Sequence, residues 1–134
     1  MRKKIETIPL YKMVIQVVDY ADRVTADLPE EEKWGIGSKL RSRAFDATSD
    51  IAEAYGSIDP RDVKWSFGMS RRDLFSLKNS LKIAHQRDYV KVDPSVMVTI
   101  DKIIEEIDKE VELAGENIPK WFKEMEPPLK KGKK

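Results

Sequence analysis

From Pro9 onward the chain alternates apolar and polar residues with the period of a helix that buries one stripe. Leu10, Met13, Val14, Val17, Val18, Ala21 and Val24 recur three and four apart, so they share one face of a helix over residues 9–26. Pro9 suits the first turn of that helix, because a first-turn N–H has no intrahelical acceptor to lose. "DLPEEEKWG" then breaks the pattern. Three glutamates after a proline favour a helix N-terminus, where acidic groups meet the positive end of the helix dipole. A second helix is expected over 31–55, with Ile36, Leu40, Ala44, Ala47, Ile51 and Ala54 or Tyr55 inward and Gly56 closing it in the left-handed conformation. "IDP" at 58–60 and "VDP" at 92–94 are two copies of one start signal. An aspartate, Asp59 or Asp93, accepts from the orphan N–H groups, and a proline opens the first turn. They predict helices over 60–88 and 94–118. The third carries Val63, Phe67, Ser70, Leu74, Leu77, Leu81 and Ala84, and the fourth Ile100, Ile104, Ile107, Val111, Ala114 and Ile118, both in the three-four spacing of bundle packing.

Short connections make consecutive helices antiparallel, so the expected fold is all-α, an up-down-up-down four-helix bundle. The expected organisation is an N-terminal arm over 1–8, the bundle over 9–118, and a C-terminal extension over 119–134. That extension runs through "KWFKEM" into "EPPLKKGKK", a proline- and lysine-rich composition that predicts a disordered basic tail.

The chain has 134 residues, 40% of them apolar, enough for one domain with a real core. Charged residues make up 37%, yet 25 basic and 24 acidic side chains leave a net charge of +1, so any electrostatic function must be local. There is no cysteine, which removes disulfides, thiolate zinc sites and thiol catalysis. The N-terminus lacks the apolar core of a signal peptide, and no apolar run approaches the roughly 20 residues that span a bilayer. The expected localisation is cytoplasmic, with no membrane partner.

Charge is segregated along the chain. Residues 33–92 hold 12 basic and 7 acidic side chains, residues 93–118 hold 2 and 8, and residues 119–134 hold 6 and 2. At about 100° per residue, Lys64, Arg71, Lys78 and Lys82 form one stripe beside the core face of helix 3. Asp101, Glu105, Asp108 and Glu112 form a matching stripe on helix 4. The two stripes can pair with each other, each exposed pair contributing about 0–1 kcal/mol, or the basic stripe and the tail lysines Lys130, Lys131, Lys133 and Lys134 can take phosphate groups. Apolar residues also lie away from the core stripe: Trp65, Met69 and Ile83 on helix 3, and Trp121 and Phe122 beyond Pro119. Aromatics and methionine concentrate in interface cores, so these five residues are expected at a subunit contact, or covered by the chain's own terminal segment.

Asp46, Asp50 and Glu53 share a flank of helix 2, four and three apart. Three acids on a ridge suit a divalent cation, but a di-iron bundle needs a Glu-x-x-His pair from two helices, and the sequence has one histidine, His85. Their expected role is a wet or interfacial flank, with Glu53 structural and no metal. "GIGSK" lacks the spacing of a phosphate-binding loop, and spacing sets no serine or acid beside His85. No enzymatic activity and no cofactor are expected.

"LPEEEKWGIGSKLRSRAFDATSDIAEAYG" resembles a bacterial four-helix-bundle family that includes proteins encoded in intervening sequences of large-subunit ribosomal RNA genes. Pro29, Trp34, Gly35, Ser38, Leu40, Arg41, Ala44, Ile51, Ala52, Glu53, Tyr55 and Gly56 stand at matching places. "SLKNSLKIAHQRDYV" is similar to the family's third helix, and the resemblance spans about residues 10–118. The Ile-Ala-Glu segment is its specific part, since the heptads are generic. The same fold family contains the Avd accessory proteins of diversity-generating retroelements, to which "WGIGSKL" is also similar. That resemblance implies a non-enzymatic homopentamer binding RNA or DNA and a reverse transcriptase. The ribosomal-RNA-gene branch implies a structural or protein-interaction module. Ala54 stands where the family has glycine, Asp50 where it has asparagine and Thr48 where it has proline. Ser76 and Lys78 replace glutamates, which makes helix 3 more basic and leans towards the retroelement branch.

Overall fold

A computed structural model describes residues 4–116. Every long element among them is α-helical: α1 (Pro9–Asp27), α2 (Ile36–Gly56), α3 (Pro60–Gln86) and α4 (Pro94–Glu116), with short 3-10 turns at Ile5–Thr7 and Glu30–Glu32. Contacts between helices set their directions. Ser70 on α3 reaches Ala47 on α2 while Asp73 meets Arg43; Arg71 meets Asp108 on α4 while Lys78 meets Asp101. In each pair one residue number rises as the other falls, so the helices run antiparallel. α1 packs on α2, α2 on α3, α3 on α4, and α4 closes back on α1, giving the up-down-up-down four-helix bundle.

The core is the stripe set by the apolar spacing. Val14, Leu40, Ala44, Ala47, Ile51, Leu74, Leu77, Ala84, Ile100, Ile103 and Ile107 are wholly removed from solvent. Ile103 and Leu28 are core residues outside the expected stripes. Trp121, Phe122, Ile118 and the tail lysines lie outside the described residues.

Two expectations are corrected at the ends of α2. The helix starts at Ile36 rather than residue 31, because Glu30–Glu32 form a single 3-10 turn closed by the Glu32 N–H on the Pro29 carbonyl. Gly35, at φ −87° and ψ −98°, then leaves helical geometry and re-aims the chain. Gly37 follows at a close approach to α1: a Cβ there would stand 2.9 Å from Thr25 Cγ2 and 3.2 Å from Leu28 Cδ1. At the other end Gly56 is the last helical residue and is not left-handed. The stop comes from Ser57, which turns extended, gives its N–H to the Ala54 carbonyl and donates its hydroxyl to the Glu53 carbonyl at 2.7 Å.

The left-handed stop belongs to α3. Asp88 has φ 58°; the Tyr89 N–H reaches back to the Ala84 carbonyl and the Asp88 N–H to that of His85. Those two bonds make a Schellman motif with aspartate where glycine is usual. α3 ends at Gln86, two residues short of the expected boundary. The two start signals act as the sequence suggests: Asp59 accepts from the Arg61 N–H and Asp93 from the Ser95 N–H, both at 2.9 Å.

The two loops at one end of the bundle are tied together. The Tyr89 hydroxyl donates to Glu32 Oε2 at 3.2 Å, and the Asp93 N–H donates to the Tyr20 hydroxyl at 2.8 Å. Because these bonds join α1 and the α1–α2 turn to the α3–α4 turn, they fix where α3 hands over to α4.

Candidate functional site

The basic stripe of α3 faces the acidic stripe of α4. Arg71 Nε lies 2.6 Å from Asp108 Oδ1, and Lys78 Nζ lies 2.5 Å from Asp101 Oδ1. Phe75, 47% exposed, sits between the two cations: the Arg71 guanidinium is 5.0 Å and the Lys78 ammonium 5.6 Å from its ring centre. Each cation therefore has a carboxylate and an aromatic face, and cation–π contacts of this kind add about 0.5–1 kcal/mol at exposed sites. A phosphate approaching Arg71 or Lys78 has to compete with a carboxylate already seated. Lys82, one turn further along, is exposed, and Lys64 is half-buried with an interaction of its own.

The expected contact residues are split. Trp65 is 57% exposed on the outer side of α3, whereas Met69 and Ile83 are half-buried in the subunit. Met69 Sδ is 3.6 Å from Arg72 Nη1. Two aromatics missing from the sequence-based set are more exposed than Trp65: Trp34 at 81% and Phe45 at 64%. Their positions gave a signal, since Phe45 lies off the Leu40–Ala44–Ala47–Ile51 stripe and Trp34 precedes the first turn of α2.

The acids of α2 divide by partner. Glu53 is exposed, and its backbone carbonyl rather than its carboxylate takes the Ser57 hydroxyl. Asp50 faces Asp73 of α3, which is 6% exposed. Arg43 Nη1 lies 3.6 Å from Asp73 Oδ1. Burial, the bond to Asp73 and the charges of Asp73 and Asp46 together push the Asp50 carboxyl up to about 7. Burial also raises Asp73. Sequence spacing could not find this pair, since Asp73 is 23 residues from Asp50 and its depth depends on how α2 and α3 approach. The caps behave oppositely: the bonds from Arg61 hold Asp59, and those from Ser95 hold Asp93, below the usual carboxylate range.

A cleft of about 680 Å³ opens where the start of α1 meets the end of α2 and the last turns of α4. Ile5, Ile8, Leu10 and Tyr55 give it an apolar wall, and Glu106 and Glu110 an acidic edge. Burial and Glu106 raise the Glu110 carboxyl, and burial with both glutamates pushes the Tyr55 phenol up to about 12. Among the described residues no cluster of three or more histidines, aspartates or glutamates is placed to hold a metal ion, and no helix is long and apolar enough to cross a membrane.

No protein-family model matches the chain, and no curated protein matches it.

Proposed function

We propose that this chain is a non-enzymatic accessory protein that works as a homo-oligomer and binds nucleic acid, a nucleic-acid-bound enzyme, or both. The observation that carries the reading is the aromatic surface. Trp34, Phe45 and Trp65 are each more than half exposed on a chain of 134 residues, and contact with a second copy removes such surface from water. The aromatics sit on separate elements, Trp34 in the turn before α2, Phe45 on α2 and Trp65 on α3, so a contact that covers them sets one face against a different face of the next copy. A head-to-tail contact of that kind makes a ring where its rotation closes. The resemblance to Avd proteins adds the number five and the partners, a reverse transcriptase and its RNA. Binding by such a ring is electrostatic and sequence-tolerant, drawing on Lys82, the tail lysines and the repeated copies.

One observation favours the second reading, a structural or protein-interaction module like the ribosomal-RNA-gene relatives. Arg71 and Lys78 are engaged by Asp108 and Asp101, so half of the stripe is used within the subunit.

Light scattering at micromolar concentration tests assembly: an oligomer is expected, with Trp65→Glu shifting it to smaller species, and a monomeric wild type ends the proposal. Retention of a single-stranded RNA then separates the two readings. Accessory binding gives an affinity that falls with salt, with a log–log slope of about −0.7 per phosphate neutralised, and is weakened by Lys78→Glu with Lys82→Glu. The module reading gives a less stable variant and no change in RNA retention.

A further inference from the structure

Asp73 lies on the side of α3 that faces α2, and its Oδ2 atom is buried with no hydrogen-bond partner. Its Oδ1 has Arg43 at 3.6 Å, a charge contact rather than a good hydrogen bond. A buried oxygen left this way is costly unless a donor reaches it. The side chain set beside it from the facing helix is another acid, Asp50. Two carboxyl groups form a hydrogen bond only if one keeps its proton, because two carboxylates offer acceptors alone. The other charged groups facing the pair are Asp46 and Arg43 from α2 and Arg72 from α3. Asp46 opposes a second negative charge, and the arginines favour one carboxylate. Together they suit a pair that carries a single proton.

We propose that Asp50 and Asp73 form a proton-binding site that ties α2 to α3: one proton held between the carboxyl groups closes the contact, and its loss opens it. Asp50 is the member that keeps the proton. Its carboxyl is pushed up to about 7; burial raises Asp73 too, with Asp46 adding to that rise and Asp50 and the two arginines opposing it.

The sign of the pH effect follows from proton counting. An unfolded aspartate releases its proton near pH 3.9, so between about pH 4 and about pH 7 the folded chain holds a proton that the unfolded chain has lost. Stability is then greatest at the acid end of that window, falls as pH rises through it, and levels off above it. Asp59 and Asp93, held low, contribute in the opposite sense and only in the acid range where they titrate. His85 Nδ1 accepts from the Val92 N–H at 3.1 Å and is the single imidazole in the chain, so it serves as the control.

Thermal unfolding of the full chain from pH 5.5 to 8.5 tests the site, using wild type, Asp50→Asn and His85→Gln. The wild-type melting temperature is expected to fall by several degrees across the window. Asp50→Asn, whose amide supplies a permanent donor of the same shape, should be nearly flat and should melt above the wild type at pH 8.5. His85→Gln should keep the wild-type slope. A wild-type curve that is flat or rises, a slope that survives in Asp50→Asn, or one that disappears in His85→Gln overturns the proposal. Should Asp50→Asn fail to fold, carboxyl-carbon NMR of the wild type decides. A midpoint near neutrality for Asp50 supports the shared proton, and one in the ordinary carboxylate range refutes it.

Discussion

The α1–α4 half of the bundle and the α2–α3 half fill their cores with different materials. α1 and α4 bury Val14, Val17, Val24, Ile100, Ile103, Ile104 and Ile107, all β-branched, with Leu10, Ala21, Thr25 and Ala114 beside them. α2 and α3 keep large residues at Leu40, Ile51, Phe67, Leu74, Leu77 and Leu81, but set among them Ala44, Ala47, Ala54, Ser66, Ser70, Ser80 and Asp73. Small side chains let two helix backbones come close, and α2 and α3 have the most extensive packing of any helix pair. Closeness lets polar groups reach across: the Ser70 hydroxyl donates to the Ala47 carbonyl at 2.8 Å, and Asp50 meets Asp73. One half is held by bulk, which any hydrophobe of the right volume supplies, and the other by fit and hydrogen bonds, which few residues supply.

Substitutions that exchange the two materials test the contrast. The largest effect is expected in the branched half. Ile107→Ala empties a fully buried site and should cost about 2–5 kcal/mol in denaturant unfolding, through lost burial and the cavity left behind. In the close half the sensitive direction reverses. Ala47→Leu drives new methyl groups between α2 and α3 and should cost about 1–3 kcal/mol, whereas a neutral result would mean the helices have room to spare. The smallest effect belongs to Ser70→Ala, which keeps the volume and removes only the hydroxyl bond. A loss of about 1 kcal/mol is expected, and no change in the denaturation midpoint would assign the α2–α3 contact to packing alone.

The same contrast explains what could be read from the sequence. The three-four spacing of Leu74, Leu77 and Leu81, or of Ile100, Ile104 and Ile107, needs no knowledge of neighbours, because a large apolar residue seeks burial wherever it lies. The Asp59–Pro60 and Asp93–Pro94 starts are equally local, each depending on N–H groups two residues away. Helix ends were harder. Gly56 is a standard stop signal, but Ser57 does that work with its hydroxyl and an extended backbone, and the left-handed residue turned out to be Asp88. The acidic flank of α2 was hardest. Asp46, Asp50 and Glu53 look alike in spacing, and only the approach of α3 separates an exposed Glu53 from an Asp50 set against a buried acid. Matching stripes on α3 and α4 were visible as charge patterns, but which cation meets which aspartate depends on the stagger of two antiparallel helices.

The order in which helices touch has a kinetic consequence. Each helix packs on the one that follows it in the chain, and among the described residues the α4–α1 contact is the least extensive in the ring. Helical hairpins joined by short turns close small loops, and domains dominated by such local contacts fold on the microsecond-to-millisecond scale. The last event on this view is the return of α4 to α1, which also brings the Asp93 N–H to the Tyr20 hydroxyl, a separation of 73 residues. A chain emerging from synthesis can therefore assemble α1 through α3 before α4 exists. Until α4 arrives, the faces that receive Ile100, Ile103 and Ile107 stand open, and that interval is when the chain is most exposed to the wrong partner.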